Sequence, residues 1–216
     1  MPVRRRRLQG RWGELFPDLA RHAVASANLL AEMLGEDAAG RAEVATRLRE
    51  ADAAAEQRTH AVLSELASVF VTPLDRDDVY RLAWSMRLAV RACDDAGELI
   101  ALVPLGLLDE GVSEQVQLIV SAAAVVAETA PRLEHRRALS QAWVELTRLR
   151  KQAGTVHRRA MAAAMGTQDA GALHVDALTV HPAALWRLRV ADHLLAASSA
   201  FEEVGSVLQQ IVVKES

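Results

Sequence analysis

The stretch "SVFVTPLDRDDVYRLAWSMRLAVRACDD", Ser68 to Asp95, decides how the rest of the chain is read. A helical pattern arriving from the N-terminal side is cut at Thr72-Pro73, because proline lacks an N–H and pushes the residue before it out of the helical region. The pattern restarts at once. Asp75 is placed to cap the new helix, Asp78 occupies the reciprocal capping-box position, and Asp77 adds negative charge at the positive end of the helix dipole. The acids behind the proline are therefore start signals and require no chemistry. Val79, Leu82, Met86, Ala89, Cys93, Ala96 and Ile100 then recur at alternating spacings of three and four, the apolar seam of a bundle helix. Arg87 and Arg91 lie one turn apart on the flank of that seam, which raises the question of what faces them.

Working outward, helical periodicity is nearly continuous and no segment alternates as a strand. The pattern predicts helices over about Asp18–Leu34, Ala38–Phe70, Asp75 to near Pro104, Ser113–Thr129, Leu133–Met165 and Pro182–Val213. "PLGLLDEG" reads as a linker and residues 166–181 as a loop containing His174 and His181. The order is three helices, a linker, then three helices, with half-repeats at about 14–104 and 112–213. Long amphipathic helices with short connections pack as antiparallel neighbours, so the expected fold is all-α, two antiparallel three-helix bundles.

Composition narrows the function. The 216 residues are half hydrophobic but only 4% aromatic, and the formal net charge is −3, which gives no general affinity for nucleic acid. No apolar run is long enough to span a bilayer, and the opening "MPVRRRRLQGRW" lacks the apolar block of a signal peptide, so a soluble, cytoplasmic protein is expected. Cys93 is the single cysteine, which excludes an internal disulfide and a cysteine zinc site. Residues 1–13 read as a basic flexible tail, whose Arg4, Arg5, Arg6 and Arg7 are suited to peripheral contact with anionic lipid at about 1 kcal/mol per residue. Trp12, Trp84, Trp143 and Trp186 are too dispersed for a stacking platform, and packing in the core or grooves is the expectation. There is no nucleophile elbow and no glycine-rich phosphate loop, so no catalysis and no cofactor are expected.

The segment from Phe70 to Ala83 also resembles the signature of the PhoU-like phosphate-transport regulators, in the branch paired with Pit-type inorganic phosphate permeases. That signature reads roughly F-I-T-P-F-D-R-E-D-I-[HY]-x-L-A. "LFPDLARHAVASANLLAEML", "LREADAAAEQRTHAVLSEL", "QAWVELTRLRKQAGTVHRRAM" and "FEEVGSVLQQIVVKES" resemble other helices of the family, so the likeness covers nearly the whole chain. It implies two three-helix bundles, a cytoplasmic location, no catalysis, and partnership with the cytoplasmic loops of a phosphate permease.

The resemblance further implies acidic Glu/Asp-x-x-x-Asp motifs, which in some members bind multinuclear metal clusters. Carboxylates four apart stack on one helix face and offer hard oxygen ligands. Here Asp52 and Glu56 match those positions on the second helix. On the third, the matching positions are Arg87, Leu88 and Arg91, with Asp94 retained. In the second half they are Arg150 and Gly154, then Leu195, Ala196 and Ser199, with Glu202 and Glu203 nearby. The resulting expectation is a vestigial metal face in which Asp52 and Glu56 pair with Arg87 and Arg91 in place of a cation. Two alternatives stand beside the regulator reading. One is a metal-binding scaffold or metal-dependent hydrolase built on Asp52, Glu56, His60 and Asp94. The other is a diverged paralogue acting as a homo-oligomer or as a hetero-oligomer partner of an intact relative.

Overall fold

The structure, a computed structural model, describes residues 12–70, 72, 74–103, 108–164 and 182–214. Arg4 to Arg7, His174, His181 and the 166–181 segment lie outside the described residues. Six long helices follow in order: α1 (Trp12–Met33), α2 (Ala38–Ser68), α3 (Arg76–Leu102), α4 (Glu110–Thr129), α5 (Arg136–Ala164) and α6 (Pro182–Lys214). A 3₁₀ turn, Ala130–Arg132, carries Pro131 between α4 and α5. Helices α1–α3 form one three-helix bundle and α4–α6 the other, each helix antiparallel to the one before it. The bundles join side by side, α1 against α4 and α3 against α6. Equivalent helices of the two halves therefore meet at the centre, while α2 and α5 stand on the outside. One apolar core runs through both bundles, from Phe16 and Leu30 through Met86 and Ile119 to Phe201 and Ile211.

All seven residues of the predicted α3 seam are buried. Because α3 packs against α1, α2 and α6, it also buries small residues off that seam, among them Ala83, Val90 and Gly97. A Cβ on Gly97 would sit 2.2 Å from Leu48 Cδ1, so the end of that side chain rests on the bare glycine. A Cβ on Gly205 would stand 3.3 Å from the Trp143 Cα, so glycine there eases the close approach of α5. The two glycines stand at the same offset from Arg87 and Leu195, one in each half.

The corner between α2 and α3 is tied from both sides. Asp75 caps α3 by accepting from the Asp77 N–H at 2.9 Å. The adjacent Arg76 turns back to α2 and donates to the Leu66 and Val69 carbonyls at 2.5 and 3.0 Å, satisfying acceptors that a helix end otherwise leaves open. Asp78 departs from its expected place in a capping box. It is buried, and its Oδ1 accepts from Lys214 Nζ at 2.7 Å, so it pins the last turn of α6 to the first turn of α3 instead of closing back on Asp75.

Helix α1 begins at Trp12, not Asp18, so Trp12 and Gly13 belong to the helix and not to a tail. Pro17 inside it removes one backbone hydrogen bond, a cost of about 3 kcal/mol in a helix interior. Burial of Trp12, Leu15, Phe16 and Leu19 at helical spacing, with the Trp12 and Phe16 rings stacked, offsets it. Helix α4 begins three residues early because Asp109 caps it through the Val112 N–H at 3.1 Å, and α5 begins three residues late because the 3₁₀ turn absorbs Pro131. Among the described residues no helix is long and apolar enough to cross a membrane.

Candidate functional site

Helices α2 and α3 run antiparallel, and the groove between them holds the carboxylates and arginines singled out above. Asp52 and Arg87 are both buried, at 7% and 8% exposure. The guanidinium grips the carboxylate with two parallel hydrogen bonds, Nη2 to Oδ2 at 3.0 Å and Nη1 to Oδ1. This fork is the arrangement that arginine makes and lysine cannot. The other expected partners stand further out. Glu56 is exposed, with Oε2 3.8 Å from Arg87 Nη2. Arg91 reaches to 3.9 Å from Asp52, but its closer partner is Asp95 on its own helix, at 3.1 Å, a pairing the sequence reading missed. His60 lies on the exposed side of α2 and Leu88 is exposed on α3.

Asp94 completes the groove. It is 6% exposed, and its Oδ1 has no hydrogen-bond partner. Burial pushes its carboxyl up to about 6, helped by the negative charges of Asp52, Glu98 and Asp95 and opposed by Arg91. Of the two buried carboxylates, Asp52 takes the buried guanidinium and Asp94 is held towards its neutral form. The preceding residue, Cys93, is wholly buried among apolar side chains, and its thiol is pushed up to about 12, so it is an inert core group.

The donor set does not suit a divalent cation. Both oxygens of Asp52 are engaged by Arg87, and a metal ion lodged there would meet a guanidinium at contact distance. The same holds for the acidic cluster at the start of α3. Asp75, Asp77 and Asp78 bring carboxylate oxygens within 4.8 Å of one another. The Lys214 ammonium occupies that space, 2.7 Å from Asp78, 3.8 Å from Asp75 and 3.9 Å from Asp77. Its hydrogen bond to Asp78 holds the Lys214 amine above its ordinary value. No sequence signal placed Lys214 there, since it comes from the far end of the chain.

The second bundle has a matching groove between α5 and α6. There Arg150 donates from Nε to Ser199 Oγ at 2.6 Å and stands 3.9 Å from Glu202 Oε2. A Cβ at Gly154 would sit 3.0 Å from an Arg150 Nη1, so the guanidinium lies across the space a side chain would fill. One turn on, His157 Nε2 meets Asp192 Oδ1 at 2.7 Å, a pair that sequence spacing did not reveal. The tryptophans divide unevenly. Trp12 is buried and Trp186 packs on the core, but Trp84 and Trp143 are exposed, at 47% and 36%. Trp84 stacks on Tyr80 with ring centroids 6.4 Å apart, so these two do not fit the packing expected of them.

No protein-family model matches the chain, and no curated protein matches it significantly. Among solved structures, a PhoU-like protein from Shewanella oneidensis MR-1 superposes with a TM-score of 0.65 at 16% identity, covering 94% of this chain and 99% of that one. A second from the same organism, a proposed PhoU-like phosphate regulatory protein, gives 0.65 at 15% identity with the same coverage. At these identities the likeness establishes the fold: all-α, six main helices, two three-helix bundles of the PhoU-like type.

Proposed function

We propose that this protein is a non-enzymatic regulator of inorganic phosphate transport that works by contact with the cytoplasmic loops of a Pit-type permease, from the cytoplasmic face of the membrane. The observation that carries this reading is the Asp52–Arg87 fork. It fills the groove with an internal ion pair, which supports action through the outer surface of the helices. The end-to-end likeness in fold to a protein named for phosphate regulation supports the direction. The test is affinity capture of the tagged protein from solubilised membranes, together with phosphate uptake by cells lacking its gene. A phosphate permease among the captured proteins and altered uptake are expected; unchanged uptake with no permease captured defeats the reading.

A second reading, a metal-binding scaffold or metal-dependent hydrolase, draws on the unpartnered oxygen of Asp94 beside Asp52. Elemental analysis of the purified protein separates the two. Stoichiometric iron, manganese, magnesium or calcium favours the scaffold. Metal bound only after Arg87→Asp and Arg91→Asp favours the regulator with a neutralised groove.

A further inference from the structure

Helix α3 carries a second seam, on the side opposite its core. Asp77, Arg81, Trp84, Leu88, Arg91 and Asp95 recur at alternating spacings of four and three, and every one of them is exposed. Tyr80 flanks the stripe with its ring nearly parallel to that of Trp84, at 5° between planes. Tyr80, Trp84 and Leu88 are 45%, 47% and 43% exposed, three large apolar side chains in consecutive turns of one helix. A soluble surface rarely leaves such a run uncovered. A heptad seam is the pattern by which one helix packs along another.

We infer that a second copy of this chain covers the stripe, its α3 lying antiparallel to the first about a two-fold axis that passes through Trp84. The charges choose both the partner and the register. With the axis at Trp84, residues equally spaced before and after it come level. Leu88 then meets the second copy's Tyr80, Trp84 meets Trp84, and Arg91 meets the second copy's Asp77, each contact occurring twice. Sliding the helices so that Trp84 faces Leu88 sets Asp77 against Asp95 and Arg81 against Arg91, a like-charge opposition at each end. The first register joins apolar to apolar and sets Arg91 against Asp77 at each end; Arg81 comes level with Arg87, whose charge Asp52 already answers. Arg91 can still take part: its side chain is 55% exposed, and its hydrogen bond to Asp95 uses Nε, leaving the outer guanidinium nitrogens for the second copy's Asp77. A contact made by one helix pair and its flanks lies at the small end of specific interfaces, so association in the micromolar range is expected.

Sedimentation velocity on the full chain over about 1–100 μM tests this. The unaltered protein should shift reversibly from monomer to dimer, and Trp84→Glu should remain monomeric with an unchanged helical circular dichroism spectrum. Asp77→Arg or Arg91→Asp alone should weaken the dimer at least tenfold, and the two together should restore it. Trp84→Cys keeps the proposal testable if the charge variants fold poorly. The exposed new thiol should form a disulfide-linked dimer under mild oxidation, whereas native Cys93 is buried. A protein that stays monomeric throughout, a dimer indifferent to Trp84→Glu, or no crosslink at position 84 overturns the inference. So does a monomer whose α3 stripe instead binds a different protein.

Discussion

Each half of the molecule places an arginine in the groove between its second and third helices, but on opposite walls. In the first bundle Arg87 projects from the third helix and clasps Asp52 on the second. In the second bundle Arg150 projects from the second helix and reaches Ser199 and Glu202 on the third. The partners differ as much as the direction. Asp52 is a buried carboxylate bound through both oxygens, whereas Arg150 holds a hydroxyl closely and a part-exposed carboxylate loosely. One groove is a committed ion pair, the other a hydrogen bond beside a screened charge. The difference teaches that a shared backbone frame fixes where a polar side chain sits, while burial decides how much energy rests on it.

The contrast can be broken first at Arg87. Replacement by Met should destabilise the protein by about 3–5 kcal/mol in urea unfolding, because Asp52 is left buried and charged beside Asp94. Adding Asp52→Asn should recover most of that loss, the signature of a coupled pair. If Arg87→Met costs no more than a surface change, the ion pair does not hold the first bundle.

The groove's second acid sharpens the comparison through pH. Asp94 titrates at about 6 in the folded state, above its ordinary 3.8, so folding takes up a proton between those values. Its ionised form weighs against the fold above about pH 6 and has no effect below about pH 4. Asp94→Asn should therefore stabilise by about 1–2 kcal/mol at pH 8, with the advantage vanishing by pH 4. Glu202, at the equivalent place in α6, is part-exposed. Glu202→Gln should change stability by under about 0.5 kcal/mol, because its contact with Arg150 is long and part-exposed.

Arg150→Met should cost under about 1 kcal/mol, since Ser199 also hydrogen-bonds its own helix at the Leu195 carbonyl. Smallest of all is Glu56→Gln, expected within about 0.5 kcal/mol because the carboxylate is exposed and 3.8 Å away. A large effect at either position would mean that the two grooves are more alike than their geometry indicates.

The fold was legible in the sequence where local chemistry determines it. The α3 seam, the break at Thr72-Pro73 and the Asp75 cap follow from spacing and backbone rules that operate within a few residues. The periodic pattern places the start of α1 at Asp18, whereas burial of Trp12, Leu15, Phe16 and Leu19 in the core extends the helix to Trp12. In the groove, stacking of Asp52 on Glu56 and of Arg87 on Arg91 could be read from four-residue spacing, but which pair closes could not. That choice depends on how far each side chain sits from solvent. Arg91 lies further round the helix and takes Asp95. The role given to Asp78 failed for a similar reason, because its partner Lys214 arrives from the opposite end of the chain.

The ties at the start of α3 also imply an order of assembly. Asp75 and Arg76 bind residues within ten positions of themselves, so the α2–α3 hairpin closes on contacts that are short in sequence and quick to form. Lys214 reaches Asp78 across 136 residues, a closure that needs both bundles already docked. In a stopped-flow experiment, Arg76→Ala should chiefly slow refolding, whereas Lys214→Met should chiefly hasten unfolding.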